Sequence, residues 1–258
     1  MCPRRTKQLK AHPVAAPRGV RDKAIMSFLK YRAKQDGSGD FLERLHKDFW
    51  TGEGGSVFST NCSHRFEDFF LKQQDQDFTA LANVWRKSET RRIVEFGCNS
   101  GLLLNYLTTH LPGVEYAIGL EINAEQVRQN QQSESFDERV SFVCADAGDW
   151  LLENGTADTL YVSNGGVLEY FQRSRLDEML SFIAQKLRPA IFFAVEPVAT
   201  DHDWASSKDS IPFGEEISFS HNYQDLFQSN DFEIQHQRPV DFESWHMVAT
   251  VANACSLP

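Results

Sequence analysis

From residue 93 onward, short apolar runs alternate with stretches whose apolar side chains recur at helical spacing. Ile93-Val94-Glu95-Phe96, Tyr116–Glu121, Val140–Cys144, Thr159–Val162 and Ala190–Val195 are too short for helices and are bounded by turn residues, so they read as buried strands. Between them, Leu102–Leu111 has a helical period, and Asn123 with Gln126 forms a capping-box arrangement at the start of another helix. Leu176, Met179, Leu180, Ile183, Ala184 and Leu187 make the clearest helical stripe, stopped by Lys186, Arg188 and Pro189. An insertion follows over residues 198–220. A short helix around Tyr223–Gln228 and strands at Phe232–Gln235 and His246–Val251 close the chain. This alternation predicts an α/β fold with a doubly wound, mostly parallel sheet of seven strands.

Before residue 91 the pattern is helical. Phe41, Leu42, Leu45 and Phe49-Trp50 make one stripe, Gly52, Gly54 and Gly55 break it, and Phe66, Phe69 and Phe70 make the next. Phe78, Leu81, Val84 and Trp85 complete a helical extension over residues 25–90, ahead of a core domain over 91–258. Residues 1–24 carry a charge of +6 in a chain of −10, so the remainder carries −16. The basic start reads as a disordered tail, and the acidic body argues against a nucleic-acid partner. No apolar run reaches the roughly 20 residues of a membrane span. The five cysteines, Cys2, Cys62, Cys98, Cys144 and Cys255, form no metal or disulfide pattern, which points to the cytoplasm. Cys98 and Cys144 read as small buried residues at strand ends.

The chemistry concentrates behind the first strand, in Glu95-Phe96-Gly97-Cys98-Asn99-Ser100-Gly101. A dinucleotide site would need G-x-G-x-x-G and no acid where a pyrophosphate must lie. Here the spacing is G-x-x-x-G, and Glu95 suits a cationic, amino-acid-like ligand. A nicotinamide-dependent reductase is disfavoured on both counts. The segment resembles the first motif of the class I S-adenosylmethionine (SAM)-dependent methyltransferases, an acid followed by G-x-G-x-G, with Asn99 in place of the middle glycine. Asn accepts left-handed backbone angles better than most residues, so the substitution is tolerable. The resemblance covers residues 90–200 and implies that the last strand runs antiparallel.

It also implies site residues. Glu95, Gly97, Asn99 and Gly101 would hold the methionine portion of SAM, and Glu121, with Ile122 beside it, would accept the ribose hydroxyls. Asp146 and Ala147 would meet the adenine, and Asn164 and Gly165 would border the ammonium. As catalytic candidates the residues beyond the fourth and fifth strands offer Tyr170, Glu196 and His221, the last favoured as a base over His202 because a helix start fixes it. Trp50, Arg65, Glu169, His202 and Tyr223 are expected to shape the acceptor pocket, with Asn61 and His64 nearby and Trp50–Ser56 as a hinge. Asp201, His202, Asp203, Glu196, Glu216 and His221 match no metal signature, so no metal is expected. The expected activity is methyl transfer from SAM to a nitrogen or oxygen of a small-molecule acceptor, with aromatic and natural-product-like compounds as the expected classes, leaving S-adenosylhomocysteine (SAH). The alternative is a SAM-fold protein that binds a ligand or partner without turnover.

Overall fold

The computed structural model describes residues 39–52, 66–214, 217–242 and 245–255, with Gly55 and isolated positions between 20 and 35. The expected tail lies almost wholly outside the described residues. So do Asn61, His64, Arg65 and Glu216, and Glu53, Gly54 and Ser56 of the expected hinge.

Five apolar runs become parallel strands: β1 (Arg92–Phe96), β2 (Tyr116–Glu121), β3 (Val140–Cys144), β4 (Thr159–Asn164) and β5 (Ala190–Pro197). A C-terminal pair, β8 (Glu233–Phe242) and β9 (Trp245–Ala254), completes the sheet in the order β3-β2-β1-β4-β5-β9-β8. The last strand, β9, is antiparallel to both of its neighbours. Among the described residues, the continuous helices of seven or more residues are α1 (Asp40–Trp50), α2 (Asp75–Arg86), α3 (Leu102–His110), α4 (Ala124–Gln132), α5 (Ala147–Asn154), α6 (Arg173–Lys186) and α7 (Tyr223–Ser229).

Successive strand residues face opposite sides, and the core divides accordingly. Ile93, Leu160, Val162 and Phe193 pack with Leu81 and Trp85 of α2 and Leu104 and Leu107 of α3. Val94, Phe96, Tyr161 and Phe192 pack with Leu176 and Ile183 of α6 and Phe227 of α7. A smaller cluster joins Leu42 and Leu45 of α1 to Ile217 and Phe219.

Four local expectations need correction. The insertion contains a two-stranded ribbon, β6 (Ile211–Phe213) with β7 (Ser218–Ser220). The Phe66–Phe70 stripe is a π-helical turn that runs into a helical turn at Leu71–Gln73. Cys144 is exposed, because β3 is an edge strand, whereas Cys98 is buried. Only half of the capping box forms at α4. Asn123 Oδ1 accepts from the backbone N–H groups of Glu125 and Gln126, but the Asn123 N–H donates to Glu121 Oε1 at 2.9 Å and is not free for Gln126.

Candidate active site

β1 and β4 are adjacent, and the chain leaves β1 toward β2 on one side and β4 toward β5 on the other. At such a switch point the turns after the strands diverge and leave a crevice. A cavity of 740 Å³ occupies it, lined by the ends of β1 to β4, by α1 and by the turn at Phe66–Gln73.

The turn after β1 is built from unusual backbone angles. Gly97, Asn99 and Gly101 have φ of 63°, 43° and 72°. A Cβ on Gly97 would lie 2.6 Å from Val167, and one on Gly101 would lie 2.5 Å from the Phe142 ring, so neither position accepts a side chain. Asn99 adopts the left-handed conformation that its residue type tolerates. Its N–H donates to Glu121 Oε2 at 3.1 Å, and its carbonyl accepts from Asn130 Nδ2 at 2.6 Å.

Five carboxylates line the cavity, Glu43, Asp68, Glu95, Glu121 and Asp146, and the three behind the strand ends differ in their surroundings. Glu95 is buried, and burial pushes its pKa well above the usual carboxylate range. Its Oε2 has no hydrogen-bond partner among the described residues. Glu121 is also buried and also raised by desolvation, but its two oxygens accept the Asn99 and Asn123 N–H groups, which oppose that shift. Asp146 caps α5 by accepting from Gly148 and Asp149 N–H, and its Oδ2 takes a hydrogen bond from Lys47 Nζ at 3.0 Å.

Ile122, Ala147, Asn164, Gly165, Trp50 and Tyr170 also line this cavity, together with Gly97 and Asn99. The Asn164 side chain is engaged: it exchanges two hydrogen bonds with Gln74, at 2.8 and 3.0 Å. Gly165 has φ of 90° and borders open space.

Other candidates lie elsewhere. His221 is fully buried and does not line the cavity; Ser210 Oγ lies 2.6 Å from Nδ1 and Leu168 O lies 3.2 Å from Nε2. Burial pushes its pKa down to about 3. The helix start that fixes His221 also seals it, so it is not a base for an occupant of this cavity. Glu196 is fully buried behind the β4 turn, accepting from Ser163 Oγ and from the Val167 and Leu168 N–H groups at 3.0 Å. Desolvation raises its pKa to about 7. It shapes the turn and does not reach the cavity. His202 contacts Ser220 Oγ at 2.9 Å, and Glu169 and Tyr223 are buried; none of the three lines the cavity.

The structure adds residues that the sequence pattern passed over. His46 and Lys47 of α1, Phe171, and Trp245 and Met247 of β9 all line the cavity. His46 was legible as a position, since it shares the buried face of α1 with Leu42, Leu45 and Phe49. No cluster of three or more His, Cys, Asp or Glu among the described residues could hold a metal ion. Among those residues no helix is long and apolar enough to cross a membrane.

Residues 93–190 match the family model described as a methyltransferase domain. No curated protein matches the chain by sequence. Among solved structures, the magnesium protoporphyrin IX methyltransferase of Synechocystis PCC 6803 with bound SAM is similar at 13% identity and a TM-score of 0.57, covering 82% of this chain and 96% of that one. A SAM-dependent methyltransferase of Leishmania major is similar at 15% identity and a TM-score of 0.57, with 82% of each chain covered. A (4+2)-cyclase, SpnF, is similar at 16% identity and a TM-score of 0.50, covering 70% of this chain and 82% of that one. The fold is therefore that of the class I SAM-dependent methyltransferases.

Proposed function

We propose, from a chain whose sheet is built on a class I methyltransferase domain, that this protein transfers a methyl group from SAM to a nitrogen or oxygen of a small-molecule acceptor. The observation that carries the reading is Glu95, a buried carboxylate at the wall of a cavity with one oxygen that has no partner among the described residues. Such an atom costs free energy unless a donor meets it. An α-ammonium group is a donor of the right charge. Glu121 retains acceptor capacity beyond the two N–H groups it already takes, which suits a ribose diol. Asp146 and Ala147 would serve the adenine, with Asp146 shared between its cap and Lys47.

When bound, SAM supplies an electrophilic methyl group on a sulfonium centre. The chain's own residues bind, orient and exclude water. The Gly97–Gly101 turn fixes the donor side, and Trp50, Tyr170 and Phe171 offer aromatic surface that suits both a cationic sulfur and an apolar acceptor. Glu196 holds the turn between β4 and Tyr170 as a positioning residue, from outside the cavity. The charge of −10 favours a small acceptor over a polyanion, and the scattered cysteines favour the cytoplasm.

The test is heat-induced unfolding of the purified protein with SAM, SAH and NADH, for the wild type and Glu121→Gln. SAM and SAH at a hundred times their dissociation constants should each add about 2.7 kcal/mol of stability, with less in the variant and nothing from NADH. No shift with SAM at millimolar concentration overturns the reading. A shift without SAH formation against a broad acceptor panel favours ligand binding without methyl transfer, the alternative that a cyclase on the same fold keeps open.

A further inference from the structure

His46 has a hydrogen-bonding state fixed by its surroundings. It lies on α1, buried yet lining the cavity, with Nε2 3.2 Å from the backbone carbonyl of Ile217. A carbonyl can only accept, so Nε2 carries the hydrogen. Burial pushes the imidazole pKa down to about 4, so the ring is neutral at pH 7. Nδ1 therefore bears the lone pair, and the one hydrogen bond of this ring among the described residues is that through Nε2.

Two further observations set this ring apart from a histidine that merely fills the core. Ile217, which receives its N–H, has φ of 60°, a left-handed conformation that a β-branched residue rarely adopts. The backbone strain thus falls on the one residue whose carbonyl selects the His46 tautomer. The ring also packs at 4.8 Å against Tyr170, which packs at 5.4 Å against Trp50, and all three residues line the same cavity. A hydrogen-bond acceptor of fixed polarity stands beside two aromatic faces.

We propose that His46 is the acceptor-recognition residue, its Nδ1 receiving a hydrogen bond from the hydroxyl group of an uncharged aromatic acceptor whose ring lies against Tyr170 and Trp50. The proposal rests on the methyltransferase reading for what the cavity does, and it narrows the acceptor to the phenol class. A neutral imidazole so depressed in basicity orients the hydroxyl oxygen and does not take its proton. A charged partner, Lys or Asp, would hold a phenol less selectively and would itself need a counter-ion in this buried position.

The experiment uses the full chain with SAH added, and phenol and anisole as probes, which share a ring but differ in the O–H donor. SAH binding is read first, by thermal shift; its absence refutes the cofactor reading and leaves the tautomer measurement standing by itself. In a ¹⁵N-histidine spectrum at pH 7, His46 should be neutral with hydrogen on Nε2. Phenol should move the Nδ1 resonance, and anisole should not. His46→Phe should weaken phenol binding about ten-fold, the factor of one net hydrogen bond, and leave anisole binding unchanged. Should the variant fail to fold, the spectrum of the wild type decides. A charged ring, hydrogen on Nδ1, or an equal response to the two probes, absence of both included, overturns the proposal.

Discussion

Asn99 sits at φ 43° between two glycines at 63° and 72°, so the turn after β1 runs through the left-handed region at three of five residues. What the position must supply is backbone: an N–H for Glu121 and a carbonyl for Asn130. Asn99→Gly should keep both and change stability by about 0.5 kcal/mol or less, whereas Asn99→Val should cost roughly 1–2 kcal/mol, because a β-branched side chain meets the following carbonyl there. Urea unfolding distinguishes the two. Glu196 makes a pH prediction. Its folded pKa of about 7 lies above the ordinary 4.5, so the folded state binds more protons than the unfolded state in between, and stability falls as pH rises through that window. Glu196→Gln keeps acceptors for the Val167 and Leu168 N–H groups and removes the titration. Relative to wild type, it should gain about 2 kcal/mol between pH 5 and pH 8, measured by urea unfolding at the two pH values.

At the scale of elements, α2 is the helix that ties the cavity wall to the sheet. Asp77 is fully buried and accepts from Arg238 Nε and Nη2 at 2.8 and 2.6 Å, with His236 Nε2 at 2.8 Å, both partners lying on β8. Arg238 also donates to the carbonyl of Gln73, a cavity residue, and Gln74 beside it pairs with Asn164. Asp77→Ala should cost about 3 kcal/mol in denaturant unfolding, because it leaves a partly buried guanidinium without its carboxylate. This anchor was not legible in the sequence. Asp77 falls inside an amphipathic helix where an acid reads as surface, and its partners are some 160 residues away. Strands β1, β2, β4 and β5 were legible because each is an apolar run largely buried on both faces, and β3 was legible as a short apolar run although it lies at the sheet edge. β8 runs to Phe242, seven residues past its expected end at Gln235, because Gln237, Arg238, Pro239 and Asp241 break the apolar pattern, whereas β9 exceeds its expected limits by one residue at the start and three at the end. For the candidate site, the lining residues behind the strands were readable because each follows a strand end. The lining residues of α1, the Phe66 turn and β9 were not, because these segments meet only in three dimensions.

Across the whole molecule the sheet separates two apolar layers. Phe192 and Phe193 are neighbours in β5, yet one packs with Phe227 and Phe232 and the other with Leu104 and Leu107 on the opposite face. Phe192→Leu and Phe193→Leu should each cost about 1 kcal/mol, with a double-mutant cycle closing to within about 0.5 kcal/mol, since neither side chain shares partners with the other. Equilibrium unfolding of the four proteins measures the coupling.

The Asp77–Arg238 contact has a further meaning for a chain made from one end to the other. α2 leaves the ribosome 161 residues before the arginine that fixes it. At ordinary rates of synthesis the interval is about 8–30 seconds. β9 separates β5 from β8, so the strand carrying that arginine joins the sheet only after the final strand has been made. A nascent chain stalled before residue 233 already holds the five parallel strands and the Gly97–Gly101 turn, with α2 packed on the sheet and Gln74 paired with Asn164, but the Arg238 contact is missing. The strand ends that line the cavity are all made by residue 166, and Trp245 and Met247, which also line it, follow some 80 residues later.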